Sequence, residues 1–345
     1  MLHFTSPNSR RSVSLFPCLI ALPLSLLFVG YMTKSSTPAE VHITTSTGTL
    51  YGTQIIPTSN LPEPVVLIIA GSGPTDRNGN NPLAGQNNSL KLLAEGLADH
   101  GIASIRYDKR GIGESAVAGL EEADLRFDTY VEDAALWIQQ LQADSRFSSI
   151  TVIGHSEGSL IGMLATQKTG ADAFVSITGI AQTASQVLRD QLRPSLPDAL
   201  WQQNEQILAA LEQGNIVTSI PPELNMLYRS SVQPYLISWF RYTPAQEIRR
   251  LTVPVLIVQG TTDIQVPVSE AQALKIAKPD AELRIIEGMN HVLKAVSLDP
   301  EQQNASYSDP TLPVVPELVE GISQFIHSSE MRRESNQSRH RNVPN

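Results

Sequence analysis

The chain has 345 residues, of which 41 % are hydrophobic and 17 % charged, and its net charge is −9. That length allows one large domain or two ordinary ones, and the apolar content suffices for a large core, which excludes global disorder. An acidic chain without a basic patch argues against nucleic acid as a partner. A single cysteine, Cys18, excludes a disulfide framework and a cysteine-based metal cluster.

Arg10 and Arg11 precede an apolar stretch at about residues 15–31, and no charge follows until Lys34. A basic flank followed by a short apolar run is the signature of an export signal. Pro17 and Pro23 interrupt the run, which lies at the lower limit for spanning a bilayer. Residues 1–34 are therefore expected to be a signal peptide or, if uncleaved, an N-terminal anchor. The protein is expected to be exported, to the periplasm or outside the cell, or held at the membrane by this segment alone. With the basic ends set aside, the body carries a net charge of −14. This keeps it soluble and argues against anionic partners. The polar residues 329–345 are expected to be a disordered tail.

Residues 41–56 alternate around Gly48 and predict a β-hairpin. Residues 65–70 form an unbroken apolar run bounded by Pro64 and Gly71, which suits a strand buried on both faces. A helix is predicted over 89–100, closed by Gly101, then a second buried strand over 102–107. Residues 129–141 read as a helix, 150–154 as a strand, 160–169 as a helix and 173–177 as a strand. Two more strands follow at 253–259 and 283–286, with a helix over 269–278 between them and a closing helix over 316–327. This alternation predicts a mostly parallel sheet with helices on both faces, within one α/β domain at 40–328. Residues 183–247 interrupt it. Helical readings at 185–192, 198–213 and 222–242 predict an inserted helical cap.

Gly154-His155-Ser156-Glu157-Gly158 lies between a predicted strand and a predicted helix. This is a G-x-S-x-G nucleophile elbow in its required context. The turn is too tight for side chains two residues either side of the serine. Ser156 is then strained and exposed at a helix N-terminus, where backbone N–H groups favour an oxyanion.

A serine hydroxyl needs a base, and the base needs an orienting carboxylate. Asp263 follows the strand at 253–259 and His291 follows the strand at 283–286, giving the chain order Ser, acid, His. Both lie at the carboxyl ends of strands, where sites in such sheets form. The other histidines lie at the termini, in the hairpin, at a helix end or, as His155, inside the elbow. The tetrahedral intermediate needs two N–H donors. Glu157 supplies one from its backbone. The second is assigned to Ser72 N–H in the loop Gly71-Ser72-Gly73-Pro74, with Gly73 as competitor. Asp76 and Arg77 either border the acyl pocket or brace this loop, and bracing is the reading preferred.

The segments Ala70–Asn80, Arg106–Ser115, Gly154–Gly158 and Gln259–Pro267 stand in the order of one family. Through them the chain resembles the α/β-hydrolase family, most closely its bacterial serine esterase-type members with a GSGPxDRxGN oxyanion loop and a GHSEG elbow. The resemblance covers about residues 40–328 and implies the α/β-hydrolase fold. It also implies a structural role for Asp108, Lys109 and Arg110. Ala70-Gly71 stands where the family usually has His-Gly.

No dinucleotide fingerprint, phosphate loop or H-x-x-x-H pair is present, so no cofactor and no metal are expected. The expected function is a serine hydrolase acting on small acyl esters through an acyl-enzyme on Ser156. An aminopeptidase-like or thioesterase activity on the same fold is the alternative, and a non-catalytic binding protein a more distant one. A peptidase gripping a free amine would want an acidic pair in the cap, but Glu205, Glu212 and Glu223 are spaced as a solvated face. Tyr228, Tyr235, Trp239, Phe240 and Tyr242 crowd fifteen positions of the cap. Tyr235, Trp239 and Phe240 are the candidates to line a substrate pocket above Ser156. The competing reading is that the cluster only fastens the cap.

Overall fold

The protein is described by a computed structural model over residues 37–341, with side chains to residue 335. The expected export segment and Cys18 lie outside the described residues, and so do residues 342–345. No described helix is long and apolar enough to cross a membrane.

Among the described residues eight strands form one sheet. They are β1 (Ala39–Thr45), β2 (Gly48–Ile55), β3 (Glu63–Ile69), β4 (Ala103–Tyr107), β5 (Phe147–His155), β6 (Ala173–Ile177), β7 (Val255–Gly260) and β8 (Glu282–Ile286). The spatial order is β1-β2-β4-β3-β5-β6-β7-β8. β1 pairs antiparallel with β2, and β2 with β4. Every later pairing is parallel. This is the α/β-hydrolase fold.

Side chains alternate across a strand, so the apolar run of β3 feeds two cores. Val65, Leu67 and Ile69 join one with residues of α2 (Phe127–Gln142), α3 (Glu157–Thr169) and α9 (Val268–Ala277). Val66, Ile68 and Ala70 join the other with residues of α1 (Ser89–Asp99) and α11 (Pro316–Arg341). Burial on both faces explains why β3 carries no polar alternation.

Between β6 and β7 stand α4 (Ala184–Leu192), α5 (Asp198–Glu212), α6 (Asn225–Tyr228), α7 (Gln233–Phe240) and α8 (Pro244–Arg250). The first two match the sequence reading. The third expected helix, 222–242, is instead broken between α6 and α7. Arg229 leaves the helical region with φ −50° and ψ 146°. Pro234 lacks the N–H that a continuous helix would use. The Gln233 side chain donates to the carbonyls of Tyr228 (2.7 Å) and Val217 (2.8 Å), which fixes the corner.

The expected disordered tail is also corrected. α11 continues to Arg341. Composition alone missed its anchors. Arg333 bonds Asp172 at 2.7 Å and the Ser148 carbonyl, and Glu330 accepts from Ser148. A short helix, α10 (Pro300–Ser306), also escaped the sequence reading; Asp299 caps it by accepting from the N–H groups of Glu301 and Gln302.

Candidate active site

β5 ends at His155 and α3 begins at Glu157, so Ser156 alone makes the turn, with φ 55° and ψ −120°. A non-glycine residue held there costs on the order of 1–3 kcal/mol, and the surroundings must enforce it. They do so through backbone contacts. A Cβ on Gly154 would sit 2.2 Å from the Gly158 carbonyl oxygen, and one on Gly158 would sit 2.4 Å from that of Ile69. The Ser156 N–H donates to Ile177 O at 2.9 Å, and the Ser159 N–H to Ser156 O at 2.9 Å.

Asp263 lies just beyond β7 and His291 beyond β8. Asp263 Oδ2 accepts from His291 Nδ1 at 2.9 Å. Its Oδ1 accepts from the backbone N–H groups of Gln265 (2.8 Å) and Val266 (3.0 Å), and the Gln259 amide donates to Oδ2 at 3.1 Å. Burial alone would raise the Asp263 pKa. His291 and these hydrogen bonds outweigh it and hold the carboxyl below its ordinary value. The carboxylate thus fixes the imidazole with Nδ1 toward Asp263. Ser156 and His291 line one cavity of about 160 Å³, with Gly71, Ser72 and Asn87 on its walls.

His155 proved to have a part the sequence did not reveal. Its ring centroid lies 5.0 Å from that of His291, and its Nε2 bonds the His291 carbonyl oxygen at 2.8 Å. Burial chiefly, with the neighbouring His291, lowers its pKa to about 4, so it is neutral at pH 7 and donates this bond.

Both expected oxyanion donors border Ser156. Glu157 is the first residue of α3, so its N–H has no carbonyl four residues back to bond within the helix. Ser72 lines the cavity of Ser156 and His291, whereas Gly73 lines a neighbouring one. Asp76 and Arg77 brace the loop. Asp76 Oδ1 accepts from the N–H groups of Asn78 and Asn80, and the Arg77 N–H donates to Asp108 Oδ1 at 2.7 Å. Neither lines a cavity beside Ser156.

The segment implied to be structural splits into three tasks. Asp108 accepts from the N–H groups of Arg77 and Glu114. Arg110 makes a two-pronged pair with Asp133. Lys109, 1 % exposed, donates to Gly71 O at 2.5 Å and to Glu157 Oε2 at 3.0 Å. The Tyr235 hydroxyl donates to the other carboxylate oxygen of Glu157. Sequence reasoning assigned Glu157 only its backbone. A carboxylate inside an elbow between two apolar elements was the signal for a buried cation nearby.

On the Glu157 side of the elbow a second cavity of about 420 Å³ opens. Its walls include Gly73, Leu83, Leu125, Tyr130, Val232 and Tyr235. Of the three aromatic candidates only Tyr235 lines it. Trp239 stacks on Phe127 with centroids 5.7 Å apart and planes 4° from parallel, and Phe240 is buried in the core. Trp239 thus fastens α7 to α2, and neither it nor Phe240 lines this cavity. Tyr228 bonds Asn204 within the insertion, and Tyr242 bonds Asp128. Glu205 and Glu212 both pair with Arg189. Among the described residues no group of three or more His, Cys, Asp or Glu is placed to hold a metal ion.

The family model described as "Serine aminopeptidase, S33" matches residues 84–212, a span that holds Ser156 but neither Asp263 nor His291. Esterase EstD of Thermotoga maritima is 29 % identical over 248 residues, 71 % of this chain and 58 % of EstD. The chain thus spans less than two thirds of that relative's length. Among solved structures, Est1E from Butyrivibrio proteoclasticus, with ferulic acid bound, superposes with a TM-score of 0.58 at 18 % identity. That match covers 84 % of this chain and 98 % of Est1E. The α/β hydrolase GrgF from Penicillium sp. sh18 gives 0.54 at 18 %, over 86 % and 99 %.

Proposed function

We propose that this chain, an α/β-hydrolase by fold, is a serine carboxylesterase that cleaves small acyl esters through an acyl-enzyme on Ser156. The observation that carries the reading is the Asp263–His291 hydrogen bond of 2.9 Å, with His291 sharing a cavity with a strained, half-buried serine. The likeness to EstD supports it.

In this reading His291 Nε2 takes the Ser156 proton as Oγ attacks the ester carbonyl. The carbonyl oxygen, now an oxyanion, is held by the N–H groups of Glu157 and Ser72. His291 then gives the proton to the leaving alcohol, and the acyl group stays on Ser156. Water, deprotonated by the same histidine, releases the acid and restores the serine. Asp263 keeps the imidazole in the required tautomer throughout. The acyl group would occupy the cavity walled by Leu125, Val232 and Tyr235. Export remains part of the proposal, on the sequence of residues 1–34 alone.

The peptidase reading finds less support here. Glu205 and Glu212 hold Arg189 between them, with Glu212 at 2.7 Å and Glu205 at 3.1 Å, so neither is a free anion for a substrate amine. The test is turnover of a p-nitrophenyl acyl ester against an aminoacyl anilide, each with the parent and with Ser156→Ala. Ester turnover that disappears in the variant is the expected result. Faster anilide cleavage would transfer the chain to the peptidases.

A further inference from the structure

We propose that Lys109 is a positioning residue that aims both oxyanion donors at the reacting carbon. This rests on the serine-hydrolase reading above: Lys109 borders the cavity given to the acyl group, but acts through the two N–H donors.

The geometry is specific. Lys109 Nζ donates to the Gly71 carbonyl at 2.5 Å. That carbonyl belongs to the same peptide unit as the Ser72 N–H. A peptide unit is planar and trans, so its C=O and N–H point to opposite sides. Clamping the carbonyl therefore sets the direction of the N–H. The bond is charge-assisted, and it polarises the unit so that the N–H becomes a better donor.

The same ammonium bonds Glu157 Oε2 at 3.0 Å. Glu157 supplies the other donor from its own backbone. One buried cation thus ties the two halves of the oxyanion site, which come from the loop after β3 and from the start of α3. Tyr235 completes the arrangement from the insertion. Burial and the Glu157 charge raise its pKa well above the ordinary phenol value, so its hydroxyl stays protonated and donates to Glu157. Lys109 also lies 5.1 Å from the centre of the Tyr130 ring.

Stability alone is a poor reason for such a pair. The two side chains are 1 % and 3 % exposed, and desolvating both charges offsets most of their attraction. An apolar pair would bind these elements equally well but would leave the Gly71 carbonyl without its donor.

The test compares the full-length parent with Lys109→Met and with the double variant Lys109→Met/Glu157→Gln. The double variant leaves no unpaired buried charge and serves if the single one misfolds. Hydrolysis of p-nitrophenyl acetate gives kcat and KM. Inhibition by a trifluoromethyl ketone, whose serine adduct places an oxyanion between the two donors, gives a second measure, and melting temperature a third. Support is a kcat loss of about 10²-fold, the order of one lost oxyanion donor, with KM nearly unchanged. The ketone should weaken by a similar factor. A folded double variant with parental kcat, or a loss confined to KM, overturns the inference. If Ser156→Ala is inactive in that same assay, the hydrolase reading survives this failure. If Ser156→Ala is as active as the parent, the reading falls and the inference with it.

Discussion

Ser156 stands between two walls of different make. On the His291 side the wall consists of loops leaving the carboxyl ends of β3, β7 and β8. Backbone contacts and hydrogen bonds to backbone groups set its shape: Asp263 accepts two N–H groups, and His155 holds the His291 carbonyl. On the Glu157 side the wall is partly the helical insertion, attached through side chains. Trp239 stacks on Phe127, and the Arg229–Glu122 pair bridges the insertion to the loop before α2. Backbone-built geometry tolerates little change, whereas side-chain contacts can be exchanged one at a time. In the proposed reading the triad's acid and base belong to the first wall, and the choice of acyl group to the second.

The largest effect should come from the shared edge. Ser156→Ala removes the proposed nucleophile and leaves no core cavity. A kcat loss on the order of 10⁴–10⁶ is expected, with an unchanged circular dichroism spectrum. Ester turnover within tenfold of the parent would remove the serine from the mechanism.

Gly158→Ala attacks the rigid wall. Its Cβ would meet the backbone oxygens of Ile69 at 2.4 Å and Ala70 at 2.7 Å, and neither is the end of a flexible side chain. Overpacking usually costs about 1–3 kcal/mol, and a backbone clash should reach the top of that range or exceed it. Urea unfolding measures the loss. A variant as stable as the parent would show that the elbow can relax and that its glycines are not sterically required.

His155 gives the rigid wall a pH dependence. Its folded pKa of about 4 lies below the ordinary value of 6.5. Its contribution is therefore complete above about pH 6.5 and is lost as pH falls toward 4. A shift of that size corresponds to about 3 kcal/mol. His155→Gln retains a donor for the His291 carbonyl and cannot titrate in this range. Its stability should fall less between pH 7 and 4 than the parent's, as read by urea titrations at several pH values. Parallel losses in both proteins would place the acid sensitivity elsewhere.

How far the sequence foretold each wall follows from the same contrast. The elbow was legible because glycine spacing and flanking apolar runs are local signals. Asp263 and His291 were legible because each directly follows a predicted strand, a local signal, and their chain order after Ser156 fits a Ser, acid, His sequence. The break at Arg229 was not legible, since its side chain is taken by Glu122, 107 positions away. The Lys109–Glu157 pair spans 48 positions and joins two motifs that had each been given a separate task. Helix beyond Ser329 depends on Asp172 and Ser148, which no periodicity could connect to it. The aromatic density at 228–242 was real, but only the folded chain separates Tyr235, facing a cavity, from Trp239, facing Phe127.

That separation permits the finest test, within the insertion itself. Val232 and Trp239 lie seven residues apart across α7, one lining the cavity of about 420 Å³ and the other packed on α2. Val232→Ala widens the cavity without removing a stacking partner. It should raise kcat/KM for longer acyl chains relative to acetate, since one methylene in an apolar pocket is worth about 1–3 kcal/mol. Trp239→Ala removes the stack and should lower the melting temperature while affecting all chain lengths alike. A series of p-nitrophenyl esters from acetate to octanoate, assayed with both variants, reads the two effects together. If Trp239→Ala alone reorders the series, the acyl group reaches the α2–α7 seam and the insertion's fastening and its selectivity are one function. If Val232→Ala leaves the order untouched, the cavity beside Glu157 is not where the acyl group sits, and the smaller cavity walled by Asn87 and His291 becomes the place to look.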